Sequence, residues 1–222
     1  MLQHGKPKLE RLADSGLLNE SLSAVHMTQL NGTDLAALSE TAVNVVHCPE
    51  SNLKLGNGIC PLADLLDHDI NVALGTDGAA SNNDLDLLGE ARTAALLAKG
   101  HSADPCVATA FEALEMLTIN AAKALGQSER LGSVEAGKLA DLCAIRLDSL
   151  RTAPMYDVVS HLIYAVSSQQ VSHVWVGGRL LLENGTFLHM DVEDVIERAN
   201  DWAERIHRKF APQEYRVHDR QH

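Results

Sequence analysis

The sequence predicts an α/β fold with a parallel sheet, followed by a smaller β unit and a terminal helix. Over residues 1–126, short apolar runs alternate with helical periodicity, the sign of βα units. The three strongest runs, at 22–25 (Leu-Ser-Ala-Val), 43–46 (Val-Asn-Val-Val) and 70–74 (Ile-Asn-Val-Ala-Leu), are nearly continuous in apolar residues. Strands covered by helices on both faces read this way. Beyond Gly126 the period changes to that of strands and a hairpin. With 222 residues, 45% of them hydrophobic and 22% charged, the chain can bury a core.

Taken in order, residues 33–40 read as a helix capped by Thr33 or Asp34, and residues 61–67, opened by Pro61, as a short second one. Asn83-Asp84 caps a helix whose apolar positions Leu85, Leu88, Ala91 and Ala95 keep helical spacing. Pro105 opens another that carries Val107, Phe111 and Leu114, and residues 120–125 form one more, with Gly126 as its C′ glycine. In the β unit, residues 139–145 read as a strand, and 171–176 with 179–182 as a hairpin turned by Gly177-Gly178. Val192, Val195, Ile196, Ala199, Trp202, Ala203, Ile206 and Phe210 share one stripe, which predicts an amphipathic helix docked on the body. Residues after 211 are polar and read as loose. The expected units are therefore 1–126, 127–190 and 191–222.

Thirty acidic against 18 basic side chains leave a net charge of −12, so nucleic acid is not an expected partner. No apolar run approaches the ~20 residues of a membrane span, and the first residues carry no signal-peptide core. A membrane partner is not expected, and the expected location is the cytoplasm. Cys48, Cys60, Cys106 and Cys143 lack CxxC spacing and are expected to be reduced, mostly buried thiols. The segment 132–138 (Gly-Ser-Val-Glu-Ala-Gly-Lys) imitates a phosphate-binding loop, but Leu139 stands where a magnesium-holding Ser or Thr is required. Neither HExxH nor the HxE and PCxxC pair of cytidine-type zinc deaminases occurs.

Three polar residues end the three buried runs: His26, His47 and Asp77. Ligands gather at the C-terminal ends of strands in α/β folds. A closed parallel barrel points all three into one cavity, where imidazole nitrogen and carboxylate oxygen suit zinc or a similar divalent metal. Asp77 lies in a run of small and polar residues, 75–83 (Gly-Thr-Asp-Gly-Ala-Ala-Ser-Asn-Asn), able to bring backbone close to a ligand. A catalytic zinc takes three protein ligands plus water, and no convincing further group is found in the sequence.

The segments 25–30 (Val-His-Met-Thr-Gln-Leu), 46–55 (Val-His-Cys-Pro-Glu-Ser-Asn-Leu-Lys-Leu) and 74–83 strongly resemble the amidohydrolase superfamily. Within it they are most similar to 5-methylthioadenosine/S-adenosylhomocysteine deaminases. The segments 132–142 and 174–179 resemble the composite β domain that these enzymes carry. The resemblance implies the C-terminal part of a (β/α)8 TIM-type barrel, then a small composite β domain and a C-terminal helix. It implies that His26 is the metal-binding histidine after the fifth barrel strand and Asp77 the metal-binding, proton-accepting aspartate after the eighth. It makes His47 the histidine after the sixth strand, bonded to the attacking water or the substrate.

The implied cofactor is one divalent metal, zinc first, with iron, nickel or manganese as alternatives; such a metal lowers the pKa of a bound water toward ~7. The implied reaction is hydrolytic deamination of an adenine-type nucleoside. Gln29 stands where the family's HxxE motif has its glutamate, at a substrate-facing position, and an amide cannot shuttle protons as a carboxylate can. That departure motivates an alternative substrate, a triazine or imino compound. The first-strand HxH pair and the first four strands are absent from this sequence, so an N-terminal half, or a second copy of the chain, is an expected partner. A non-catalytic fragment is the alternative from outside enzymology.

Overall fold

The computed structural model describes residues 5–210. The expectation for residues after 211 lies outside the described residues. Within them, helices α1 (Lys8–Asp14), α2 (Gly32–Glu40), α3 (Pro49–Leu55), α4 (Leu62–Asp67), α5 (Leu87–Ser102), α6 (Ala110–Leu117), α7 (Ile119–Ala124), α8 (Val158–Tyr164) and α9 (Val192–Phe210) accompany two sheets.

The first sheet is parallel, in the order β1 (Ser23–Val25), β2 (Asn44–His47), β3 (Val72–Leu74). Val25 lies opposite Val46, and His47 opposite Leu74. The pairing runs past the strand ends: the His26 amide donates to Val46 O at 3.0 Å, and the Gly75 amide to His47 O at 3.0 Å. All three candidate residues therefore sit at the C-terminal end of the sheet. β2 and β3 are buried as predicted, but β1 is not, since Ser23 and Val25 are exposed. β1 is an edge strand among the described residues, and α5, α6 and α7 pack against β3 at the opposite edge.

The strand count corrects one implication of the resemblance. A fifth, sixth and eighth strand require another strand between those of His47 and Asp77, yet β2 and β3 are hydrogen-bonded neighbours. If β3 is the eighth strand, β2 is the seventh and β1 the sixth.

Several helix boundaries follow caps rather than the residues first picked out. Asn31 caps α2, accepting from Thr33 N at 2.9 Å and Asp34 N at 3.1 Å while the Asp34 carboxylate accepts from Asn31 N. This reciprocal pair outcompetes a cap at Thr33 or Asp34. Asp86, not Asn83 or Asp84, caps α5, and Leu85 stays outside the helix at φ +53°. The Thr109–Glu112 capping box starts α6, so Pro105 and Val107 lie in the preceding turn. Gly126, at φ +63°, closes α7: its amide reaches Lys123 O and the Gln127 amide reaches Ala122 O, a Schellman motif.

The core gathers Leu38, Val45, Leu65, Val72, Met116 and Ile163 around the alanine face of α5, Ala91, Ala94, Ala95 and Ala98. Small side chains there let α5 lie close to its neighbours. Arg92 reaches from α5 to the Ile163 carbonyl at 3.1 Å and to that of Val166, joining α8 to α5.

The second sheet is antiparallel, in the order β4 (Leu142–Ile145), β5 (Val171–Val176), β6 (Arg179–Glu183), β7 (Thr186–Phe187). Gly177 and Gly178 both adopt positive φ, as a primed two-residue turn requires. β4 starts at Leu142 instead of Leu139, because Ala140 and Asp141 bind the hairpin tip: the Gly178 amide donates to Ala140 O at 3.0 Å and the Gly177 amide to the Asp141 carboxylate at 2.6 Å.

α9 forms as predicted but is not docked. Every residue in it is exposed, Trp202 at 61% and Ile206 at 55%. Local forces account for the helix itself. Asp191 accepts from Glu193 N and Asp194 N, acidic residues fill the first turn and basic ones the last, and Arg198–Asp194 and Arg208–Glu204 pair at i,i+4.

This contrast sets a stability test by urea unfolding of the 222-residue chain. Leu65→Ala removes a fully buried side chain and costs about 2–5 kcal/mol. Trp202→Ala changes stability by less than about 0.5 kcal/mol, as for an exposed position; a loss as large as that of Leu65→Ala would show α9 docked after all.

Candidate functional site

His26 and Asp77 face each other at the C-terminal end of the parallel sheet, with His26 Nε2 3.8 Å from Asp77 Oδ2. Both adopt left-handed backbone, φ +74° and +60°, a conformation that costs a non-glycine residue about 1–2 kcal/mol. Strain of this kind concentrates where side chains must be aimed. Each side chain is about one-third exposed.

Two hydroxyls hold Asp77. Ser51 Oγ donates to Asp77 Oδ2 at 2.7 Å and Ser81 Oγ donates to the same oxygen at 2.8 Å. Those two bonds, Ser51 first, and a backbone bond from Gly78 hold the carboxyl down at about 2. Asp77 is a carboxylate at neutral pH. Ser51 reaches it from α3, a helix the sequence patterns had not marked. Pro49 at the first helical position and left-handed Gly56 just past the end were its signals.

His47 lies deeper, 1% exposed, on the strand between those leading to His26 and Asp77. Burial, aided by the nearby His26, lowers its pKa to about 4, so its ring is neutral. The Nδ1 atoms of His26 and His47 and the Asn52 side-chain amide are buried without a hydrogen-bond partner among the described residues. Gly75 lets β3 end this close to β2: a Cβ there would sit 3.0 Å from Val46 Cγ1 and 3.3 Å from Cys48 Sγ. Gln29 is not drawn into this cluster. It is exposed, and its amide donates to Asn57 O at 3.4 Å, in the turn after α3.

Glu90 is the polar residue that sequence patterns missed. It is fully buried in the first turn of α5, accepting from the Glu50 amide at 3.1 Å and from Asn82 Nδ2 at 2.5 Å. Burial raises its pKa to about 7, against the pull of those bonds. Its position one turn before Ala94 on the apolar face of α5 was the available signal.

Elsewhere, Lys138 of the phosphate-loop imitation folds onto its own segment, donating to Ser128 O at 2.6 Å and Ser133 Oγ at 2.7 Å. All four cysteines are free; Cys48 and Cys60 are buried, whereas Cys106 and Cys143 are exposed, so only half meet the burial expected of them. Cys143 lies in the second sheet and Cys106 in the turn before α6, both outside the core.

The His26–Asp77 gap is too long for a hydrogen bond, and two ligands each ~2.0–2.2 Å from one zinc ion can be this far apart. Yet no group of three or more His, Cys, Asp or Glu among the described residues could hold a metal, and a catalytic zinc takes three protein ligands. The described residues do not make a complete metal centre by themselves.

His47 and Glu90 respond to pH in opposite directions. His47 takes up its proton at a lower pH folded than unfolded, so its stability contribution is complete above about 6.5 and lost as pH falls through about 4. Glu90 gives up its proton at a higher pH folded, so its contribution is complete below about 4.5 and lost as pH rises through about 7. The two offset in wild type. In Glu90→Gln the His47 response stands alone, and urea-unfolding stability rises with pH from 4.5 to 6.5; a falling profile in that variant would contradict the assignment.

Residues 3–181 match the Amidohydrolase family. The chain is 46% identical over 202 residues to a 5-methylthioadenosine/S-adenosylhomocysteine deaminase from Saccharophagus degradans, covering 91% of this chain and 45% of that protein. It is 38% identical to a 5'-deoxyadenosine deaminase from Methanopyrus kandleri, covering 92% and 47%. Among solved structures, an adenosine deaminase from Xanthomonas campestris with bound Zn superposes with a TM-score of 0.91 at 45% identity, covering 93% of this chain and 47% of that one. An atrazine chlorohydrolase from Arthrobacter aurescens, complexed with zinc, superposes at 0.84 and 28% identity, covering 89% and 44%. The chain thus spans about half the length of these relatives. On this match, which includes the strand ends carrying His26, His47 and Asp77, the chain belongs to the amidohydrolase family.

Proposed function

We propose that the full-length protein to which this chain belongs deaminates an adenine-type nucleoside by hydrolysis, releasing ammonia and leaving the inosine-type product. The observation that carries the reading is Asp77, ionised, held by two hydroxyls and facing His26 at the C-terminal end of the sheet. It does so in a chain 46% identical to a deaminase of 5-methylthioadenosine and S-adenosylhomocysteine. On this reading the described residues up to 126 are the last part of a (β/α)8 barrel, residues 127–190 a composite β domain, and residues 191–210 a C-terminal helix. The place of action is the cytoplasm.

The direct pairing of β2 with β3 supports a different reading of the residue roles. With β1 as the sixth strand, His26 takes the role that the family pattern gives to the sixth-strand histidine, bonding the attacking water or the substrate. The fifth-strand metal histidine and the HxxE motif then lie outside this chain, and Gln29 is not a substituted catalytic glutamate. Asp77 remains the metal ligand that this chain contributes. His47, on the seventh strand, is a neutral buried ring behind His26. Asp77, together with ligands from the rest of the protein, would hold a zinc ion, and such an ion would supply the positive charge that lowers the pKa of a bound water toward ~7. Asp77 stays ionised beside that charge because Ser51 and Ser81 donate to it, and its carboxylate is the group placed to accept the proton. His26 orients what lies between them.

The second reading, hydrolysis of a triazine, draws on the likeness to atrazine chlorohydrolase at a TM-score of 0.84. Gln29 no longer favours it. Full-length protein incubated with 5-methylthioadenosine, S-adenosylhomocysteine and a chlorotriazine separates the two, with ammonia from a nucleoside expected. Asp77→Asn should lower that turnover by about 10²- to 10⁴-fold. Chloride release without ammonia would replace the deaminase reading by the triazine one.

A further inference from the structure

We infer that Glu90 is a positioning residue for Asp77: its buried carboxylate ties together the two segments whose serine hydroxyls hold Asp77. Glu90 Oε2 accepts from the backbone amide of Glu50, and Ser51 is the next residue. Glu90 Oε1 accepts from Asn82 Nδ2, and Ser81 is the preceding residue. One side chain on α5 thus fixes the start of α3 and the loop after β3 at the points where each sends a hydroxyl to Asp77 Oδ2.

The chemistry of the site argues for this use. A carboxylate removed from water is costly unless it is hydrogen-bonded, and an apolar side chain of similar volume commonly serves stability as well. Glu90 is 0% exposed, and no cation pairs with it among the described residues. Its partners are two donors, both in segments that reach Asp77. Asn82 is itself 3% exposed, and its oxygen accepts from the Leu85 amide at 3.0 Å, so the loop is held from both sides of the same amide. α3 has a further tie to α5, Thr93 Oγ1 donating to the Glu50 carboxylate at 2.9 Å. The loop is joined to α3 by Lys54, which donates to Ala80 O at 3.0 Å at the exposed rim, where water competes. Loss of the Glu90 carboxylate therefore loosens Ser81 more than Ser51.

The functional meaning rests on the proposed role of Asp77. The test reads hydrogen bonds and not turnover, so either can fail without the other. It uses nuclear magnetic resonance on the 222-residue chain at pH 8, following the Asp77 carboxylate carbon shift and the exchange rates of the Ser81 and Asn82 amides. Glu90→Gln keeps an acceptor for the Glu50 amide but sets a donor against Asn82 Nδ2. Adding Asn82→Asp supplies an acceptor again and rebuilds both ties.

In Glu90→Gln the Asp77 signal moves and the two loop amides exchange about fivefold faster or more, as for one lost hydrogen bond, while Val46 and Ala73 amides in the strands stay within about twofold. The double variant returns all of them to wild-type values. Unchanged Asp77 and loop signals in Glu90→Gln overturn the proposal, as does equal acceleration in the strands or a double variant that restores nothing. Should Glu90→Gln not fold, the double variant decides: wild-type Asp77 and Ser81 signals support the proposal, and displaced signals or a failure to fold overturn it.

Discussion

His47 lies opposite Leu74 because Val45 and Val46 pair with Val72 and Ala73, and the candidate site follows from that parallel register. A slip of one residue would turn every side chain on β2 or β3 to the other face. Gly75 permits the register to run to the strand ends, since the space a Cβ would need is taken by Val46 and Cys48. With β1 added on the other side, the turns after the three strands open at one end of the sheet. Left-handed backbone at His26 and Asp77 then brings their side chains face to face. The cost of that strain is offset by burial of Val45, Val72 and Leu74 in the same core as the alanine face of α5.

Much of this was legible in the sequence, for identifiable physical reasons. β3 is fully buried and β2 is buried at all but Val46, and valine-rich runs announce such strands directly. His26, His47 and Asp77 stood out because each follows one of these runs. The β5–β6 hairpin announced itself through Gly177-Gly178, which a primed turn favours. What escaped depended on partners that no local pattern encodes. Ser51 matters because α3 turns it toward Asp77, and a serine in a seven-residue helix carries no signal of its own. Glu90 was hidden by its chemistry: glutamate on a helix is normally solvated, and only its phase with Ala94 and Ala98 places it inward.

Two expectations failed through lack of a neighbour. β1 is apolar at Val25 yet exposed there, and the apolar stripe of α9 faces no element of the described residues. Periodicity tells which face of an element is apolar; it does not tell what covers that face. Both exposures fit the coverage of the relatives, of whose length this chain spans about half. The same holds for the metal. Asp77 is charged and fixed, as the proposed ligand role requires, while the buried Nδ1 atoms of His26 and His47 have no partner among the described residues. Under the proposed strand numbering, which rests on β2 and β3 being direct neighbours, the further ligands come from earlier strands and Gln29 is not a substituted catalytic glutamate.

The central claim is that this chain contributes Asp77 and its supports to a metal centre that other parts of the protein complete. Zinc content measured by atomic absorption, on the 222-residue chain and on the full-length protein after identical dialysis, tests it most directly. The account predicts well under one zinc ion per 222-residue chain and one per full-length protein. One tightly held zinc on the 222-residue chain alone would contradict it.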